Sequence, residues 1–317
     1  MMTTIDVIIA TYNRSSMIGR CLDDLLKQET GGIFSFIIIV VDNNSKDDTR
    51  NIVASYEKNF PGRVRYIFEP QQGKSYALNT GVKNAAGEIL AFTDDDVQID
   101  PQWLLNIARC FQAHGCDGVG GRILPVFSSD TPSWVKDNTK QLDGPLGINE
   151  AGGETRLYVK PMYEFFGANF AFKRKVFSDC GLFRTDVGLG TGALGEDTEF
   201  VNRVYKAGKT LYYCGQALVW HKNPKQMTLG YIAKWNFQHG KSKAMVEPAE
   251  DKQYFPSIGG VPRCLFRGII EKMIRLLLNI FKPKSFLKCW CDLYFHLGLI
   301  AGYAKRRRFN ASRKGQG

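Results

Sequence analysis

The sequence predicts an α/β protein: a mostly parallel, doubly wound sheet with helices on both faces, followed by C-terminal amphipathic helices. Three observations carry this expectation. Apolar runs of strand length alternate four times with helical periodicity between Ile5 and Phe92. Each run ends in a polar cluster, as in a parallel sheet whose strand C-termini share one edge. The net charge of +11 lies entirely beyond residue 262, since 1–262 hold 29 Lys+Arg against 29 Asp+Glu and 263–317 hold 13 against 2.

With 317 residues, 44% hydrophobic and 23% charged, the chain has the composition of a folded protein of one large or two modest domains. A neutral body argues against nucleic-acid binding, which would spread basic residues over the folded domain. The eight cysteines form no Cys-x-x-Cys pair and no zinc-site spacing, pointing to a reducing, cytoplasmic setting. Met1–Asp6 lacks a basic-then-apolar signal segment, which gives the same expectation.

Taken in order, Ile5–Ala10 is a β-branched strand, and Thr11-Tyr12-Asn13-Arg14 leads into a helix over 17–28 with apolar residues at Ile18, Cys21, Leu22, Leu25 and Leu26. Phe36–Val41, apolar throughout, reads as a strand covered on both faces. It ends in Asp42-Asn43-Asn44-Ser45 ahead of a helix over 49–59. A third strand, Val64–Phe68, gives way to Gln71-Gln72-Gly73-Lys74-Ser75 and a helix over 75–85. The fourth, 88–92, ends in Asp94-Asp95-Asp96. Three adjacent carboxylates repel one another, so they face water or a cation, and oxygen ligands after a strand suit Mg²⁺ or Mn²⁺. Convergence of the four clusters would let Tyr12 stack on a base, Asp42 accept from a ring N–H and Lys74 neutralise phosphate. Taken singly, each is equally a surface tyrosine, a helix cap or a solvated lysine.

A helix over 101–114 leads to Gly118-Val119-Gly120-Gly121, after which 125–160 shows no periodicity and reads as a lid or binding loop. Order returns at Phe165–Phe172. The glycine-rich Gly188–Gly192 closes on Gly195-Glu196-Asp197-Thr198-Glu199, acidic residues that either cap a helix or place a base close to substrate. Leu211–Tyr213 and Ala217–Trp220 read as strand segments before His221, which is a metal ligand or a loop histidine.

In this order and spacing, Val7-Ile8-Ile9-Ala10-Thr11-Tyr12-Asn13-Arg14, Val40–Ser45, Gly73–Asn79, Phe92–Asp96, Gly167-Ala168-Asn169 and Gly195–Glu199 resemble the family 2 glycosyltransferases of the GT-A fold, from about Ile5 to about Lys243. The resemblance implies an inverting, nucleotide-sugar-dependent transferase using Mn²⁺ or Mg²⁺. Thr11, Tyr12, Asn13, Arg14, Asp42, Lys74, Asp94 and Asp95 would bind the donor, and Asp94, Asp96 and His221 the metal. Asp197, with Glu196 beside it, would be the catalytic base, and Asn169 and Trp235 would meet the acceptor. Where processive members carry Gln-x-x-Arg-Trp, this chain has Tyr231-Ile232-Ala233-Lys234-Trp235, which removes the simplest argument for a polymer synthase.

The expected organisation is a nucleotide-sugar-binding half (1–122) and an acceptor-binding, catalytic-base half (123–262) of one domain, then a basic tail (263–317). In the tail, 263–282 and 286–304 each read as a broad apolar helix with a polar stripe, too interrupted by charge to span a bilayer and suited to lie on the inner membrane face. A UDP-linked donor and a glycan or lipid-linked acceptor complete the expectation. The alternatives are nucleotidyl transfer on a related fold and a non-catalytic membrane- or nucleic-acid-binding adaptor.

Overall fold

The computed structural model describes residues 2–159, 165–188, 194–222, 227–246, 257–258 and 260–314. Its elements begin with β1 (Thr3–Thr11), α1 (Ser15–Leu26), β2 (Phe34–Asp42), α2 (Thr49–Asn59), β3 (Val64–Phe68), α3 (Lys74–Asn84) and β4 (Ile89–Thr93). Next are β5 (Val97–Ile99), α4 (Trp103–His114), β6 (Gly118–Val126), α5 (Ser133–Lys136), α6 (Asp143–Leu146), β7 (Thr155–Leu157), β8 (Asn169–Lys173) and α7 (Arg174–Cys180). The remainder holds α8 (Glu196–Lys206), β9 (Leu211–Lys222), α9 (Leu229–Val246), α10 (Arg263–Leu278) and α11 (Pro283–Lys314). The chain divides into two compact units, 1–127 with 146–190 and 196–223, and 128–145 with 191–195 and 224–317.

In the first unit one sheet runs β3-β2-β1-β4-β8-β6-β9-β5, with β7 also on β9. The quartet β3-β2-β1-β4 is parallel, as the alternation of strand and helix requires. Beyond it the sheet is mixed: β8 lies antiparallel between β4 and β6, β9 runs parallel to β6, and β5 runs antiparallel to β9. The two segments expected at 211–213 and 217–220 join as the single strand β9, with an irregularity opposite Gly121/Arg122. The stretch read as a loop over 125–160 contains α5, a 3₁₀ turn at Thr139–Gln141, α6 and β7, with Val135, Leu142 and Leu146 buried.

Strand alternation divides the core between the two sheet faces. Ile5, Val7 and Ile9 pack with Trp103 and α1 on one side, and Ile8, Ile39 and Val41 pack with α3 on the other. The second core ends in a knot of rings, Phe92, Phe170, Phe172, Phe177, Phe183 and Phe200. The run Gly118-Val119-Gly120-Gly121 is explained by space. A Cβ on Gly118, Gly120 or Gly121 would collide with Phe172, Phe165 or Asn169 respectively.

The second unit is mainly helical, with a short antiparallel pair of Ser257–Ile258 and Val261–Pro262, and reaches back to residue 224, so α9 joins the tail helices. Contact between α9 and α11 is close: a Cβ on Gly240 would strike the Phe295 carbonyl oxygen, and one on Gly298 that of Phe237. Leu287, Leu299 and Tyr303 of α11 are buried. Of the two tail segments expected to lie on the inner membrane face, only 263–282 shows an exposed apolar face among the described residues; the large apolar residues of 286–304 are buried or half-buried, with α9 and α10 packed against this helix. No described helix is long and apolar enough to cross a membrane.

His239 of α9 sits edge-on to Trp235 and Phe295, with ring centroids 4.9 and 5.4 Å away. Burial, reinforced by the Lys243 charge, pulls its pKa down to about 4. Because the unfolded chain titrates near 6.5, it binds more protons than the folded one between pH 6.5 and 4. Stability contributed by the neutral ring is therefore complete above that window and is lost as pH falls through it, by about 3 kcal/mol at most. His239→Phe is expected to flatten the acid limb of melting temperature against pH, and an unchanged limb would show that other groups set it.

Candidate active site

Strand register assembles the site. Thr11 lies opposite Asp42, and Ile9 opposite Thr93, which brings the carboxylates after β4 beside the end of β1. Val97, directly after Asp96, is the partner of His221 on β9. A histidine 125 positions away in sequence thus reaches the carboxylates by pairing alone, His221 Nε2 standing 3.5 Å from Asp96 Oδ1.

Asp94, Asp96 and His221 each offer one ligand atom, and these atoms lie within 4.8 Å of one another. His221 Nδ1 is buried without a hydrogen-bond partner among the described residues, and Nε2 stands at a long 3.5 Å from Asp96 Oδ1. An imidazole this weakly engaged is available for ligation, so the residues fit a divalent ion. Two carboxylate oxygens with one ring nitrogen suit Mn²⁺ better than Mg²⁺, which takes oxygen almost exclusively.

Cations hold the triplet together. Arg14 Nε is 3.4 Å from Asp95 Oδ1 and Arg14 Nη2 is 3.5 Å from Asp96 Oδ2. Lys74 Nζ lies 2.6 Å from Asp94 Oδ1 and 3.9 Å from Glu196 Oε1. Burial disfavours the Lys74 ammonium, but Asp94 and Glu196 together outweigh it and hold the pKa above its ordinary value. Burial likewise acts against the Asp94 carboxylate, and the Lys74 charge prevails and holds its pKa low. Burial pushes Asp95 up to about 7, a shift that the 2.6 Å hydrogen bond from Thr11 Oγ1 opposes and the Asp96 charge reinforces. Asp95 faces Thr11 and Arg14 and stands outside the Asp94, Asp96 and His221 group.

Glu196, Asp197 and Glu199 occupy the first turn of α8, where the helix dipole favours negative charge. Gly167 N–H donates to Asp197 Oδ2 at 2.8 Å, and Thr198 N–H donates to Oδ1 at 2.7 Å, fixing the carboxylate. Gly167 also has Lys74 close by, with Nζ 3.6 Å from where a Cβ would stand. Burial, with the Asp197 charge next, pushes the Glu196 carboxyl up to about 7. Of the glycine-rich segment expected before these residues, all but Gly188 lies outside the described residues.

Several residues expected to touch ligands are enclosed by their own structure. Asn169 is 0% exposed; its Oδ1 accepts from Trp103 Nε1 at 2.8 Å and its Nδ2 donates to the carbonyls of Arg122 and Ala217, each at 2.8 Å. It braces β8 against α4, β6 and β9, and the expectation that it meets an acceptor is corrected. Asn169→Ala would orphan the Trp103 N–H and lower stability by about 3 kcal/mol, read as a fall of several degrees in melting temperature. An unchanged melting temperature would refute the bracing role. Thr11 is 2% exposed with its hydroxyl committed to Asp95, so it positions that carboxylate and its side chain reaches no donor. Asp42, 1% exposed, accepts from Tyr66 Oη at 2.9 Å and Ser45 N–H at 2.9 Å, so a base reaches it only if Tyr66 yields.

Tyr12, by contrast, is 45% exposed at the mouth. Asn13 takes φ 52 and accepts from Lys46 N–H at 2.7 Å, tying the β1 loop to the loop after β2. Trp235, in the helical unit, packs over Gly144. Asn43 holds the loop after β3 in place. Its Oδ1 accepts from Gly73 N–H at 2.7 Å and its Nδ2 donates to the Gln71 carbonyl at 2.7 Å, fixing the turn that launches Lys74. An asparagine directly after a strand-ending aspartate was the available signal.

The description Glycosyl transferase family 2 matches residues 6–181. The succinoglycan biosynthesis protein ExoM of Rhizobium meliloti is 26% identical over 239 residues, covering 75% of this chain and 73% of its own length. Glycosyltransferase AglE of Haloferax volcanii is 34% identical over 245 residues, covering 76% and 73%. Among solved structures, the mannosyltransferase PcManGT from Pyrobaculum calidifontis, in complex with GDP-Man and Mn²⁺, superposes with TM-score 0.61 at 17% identity over 95% of this chain and 87% of its own. At that identity the likeness shows the GT-A fold.

Proposed function

The chain belongs to glycosyl transferase family 2 and is a glycosyltransferase, and from that premise we propose that it is a metal-dependent, inverting enzyme moving a sugar from a UDP-linked donor to a hydroxyl of a glycan or lipid-linked acceptor. One observation carries the reading. Lys74 stands between Asp94 and Glu196 at the start of α8, which supports a reading in which the donor phosphates and the base share one mouth.

A divalent ion held by Asp94, Asp96 and His221 would supply positive charge to the departing nucleoside diphosphate. Lys74 leaves Asp94 to add a second charge on the same phosphates. Tyr12 stacks on the base, and Asp42 accepts from a ring N–H, such as uracil carries, once the Tyr66 hydroxyl turns aside. Asp197, held by the Gly167 and Thr198 N–H groups, takes the proton of the attacking acceptor hydroxyl. The acceptor oxygen bonds to the anomeric carbon as the bond to the phosphate oxygen breaks, which inverts that carbon. ExoM's name places that relative in succinoglycan synthesis, and a role in surface polysaccharide or glycoconjugate synthesis at the cytoplasmic face of the membrane suits this chain with its basic tail.

The test is the stereochemistry of transfer. With an α-linked UDP-sugar and Mn²⁺, nuclear magnetic resonance of the product is expected to show a β linkage. An α linkage would overturn the assignment of Asp197 as base in a single displacement.

A further inference from the structure

In α10 one side is half-buried against α11: Leu265, Gly268, Ile269 and Leu276 lie on it, and His296 of α11 packs beneath Gly268. The opposite side is unpartnered among the described residues. Phe266, Ile270, Met273, Ile274, Leu277 and Leu278 recur at spacings of three and four, all exposed, with Leu278 at 74%. Just past the helix, Phe281 continues the stripe at 94% exposure. Monomeric proteins rarely leave so continuous an apolar face in water.

Its surroundings identify what covers it. Arg263, Arg267 and Arg275 lie exposed on α10, and the exposed Lys282 and Lys284 follow it. The one acidic residue, Glu271, is paired with Arg275. A second copy docking this face on itself would set these cations against their own counterparts. A surface of anionic headgroups complements them while accepting the apolar side chains beneath. Among the described residues α11 offers no comparable face, since its large apolar side chains are buried or half-buried.

We propose that α10, and not the tail as a whole, is the element that seats this protein on an anionic bilayer, lying in the plane of the surface with the Phe266–Phe281 stripe inserted. The purpose of that seat rests on the membrane-side acceptor of the preceding reading; the geometry of α10 does not.

The test is flotation of the full chain with vesicles of phosphatidylcholine alone or with about a third phosphatidylglycerol. The wild type is expected to float with the anionic vesicles and to bind neutral ones about tenfold more weakly or worse. Ile274→Glu with Leu277→Glu, both exposed, should keep the melting temperature and lose flotation by about tenfold or more. Melting-temperature shifts with UDP-sugar and Mn²⁺ are measured on the same samples and should not differ between the two proteins. Loss of those shifts in both would strike the transferase reading and leave the flotation result standing. Wild type that stays unbound to anionic vesicles, or a double variant that floats as the wild type does, overturns the proposal. So does a dimer that Leu277→Glu dissolves when no flotation occurs, since the occupant is then a second copy.

Discussion

Asp197→Asn is expected to lower sugar transfer by about 10²–10⁴-fold, the usual worth of a positioned general base, while donor affinity in the presence of Mn²⁺ stays within about twofold. The substitution keeps the shape of the side chain and one acceptor oxygen, so one of the two bonds from the Gly167 and Thr198 N–H groups survives. What disappears is the capacity to take a proton. Calorimetry on UDP-sugar together with kcat/KM separates the two effects, and weakened donor binding at unchanged kcat would move Asp197 into the donor site. Glu196→Gln is the companion variant. Glu196 is buried and faces Lys74, so its loss should act through donor placement and raise KM more than it lowers kcat.

Asp96→Ala is expected to abolish the part of donor binding that depends on metal, by about a hundredfold or more, since even groups that merely orient a metal ligand are worth about 10–100-fold. Donor affinity in chelator should be the same for variant and wild type. The Arg14 contact to Asp96 is a long one at the rim, 3.5 Å, so the fold should survive. Equal response of variant and wild type to Mn²⁺ would remove Asp96 from the metal site. His221→Ala tests the donor set further. Without its only nitrogen, the site should lose its preference for Mn²⁺ over Mg²⁺.

The parts of this molecule that were legible in the sequence are those fixed by local rules. The helix over Thr49–Asn59 and the strand Val64–Phe68 stand where periodicity put them, because each carries its own apolar face and its own stop signal. The convergence of Arg14, Lys74 and Asp94–Asp96 followed from parallel pairing alone. Contributions set by distant packing were not legible. Nothing local says that Asn169 is sealed behind Trp103, or that Thr11 spends its hydroxyl on Asp95. The tail shows the same division. Its amphipathic pattern was plain, yet it takes the close approach of α9 to α11 at Gly240 and Gly298, and the exposure of Ile270, Leu277 and Leu278, to tell the packed helix from the one facing outward.

The central claim is that Asp94, Asp96 and His221 hold a metal for a nucleotide-sugar diphosphate. It is tested most directly by the melting temperature of the full chain against UDP-sugars and GDP-sugars, each with Mn²⁺, Mg²⁺ or chelator. A ligand that binds only the folded state at about 100 times its Kd adds about 2.7 kcal/mol, which several degrees of shift would register. A UDP-sugar is expected to stabilise strongly with Mn²⁺, less with Mg²⁺ and hardly at all in chelator. Equal stabilisation in Mn²⁺ and in chelator would contradict that claim.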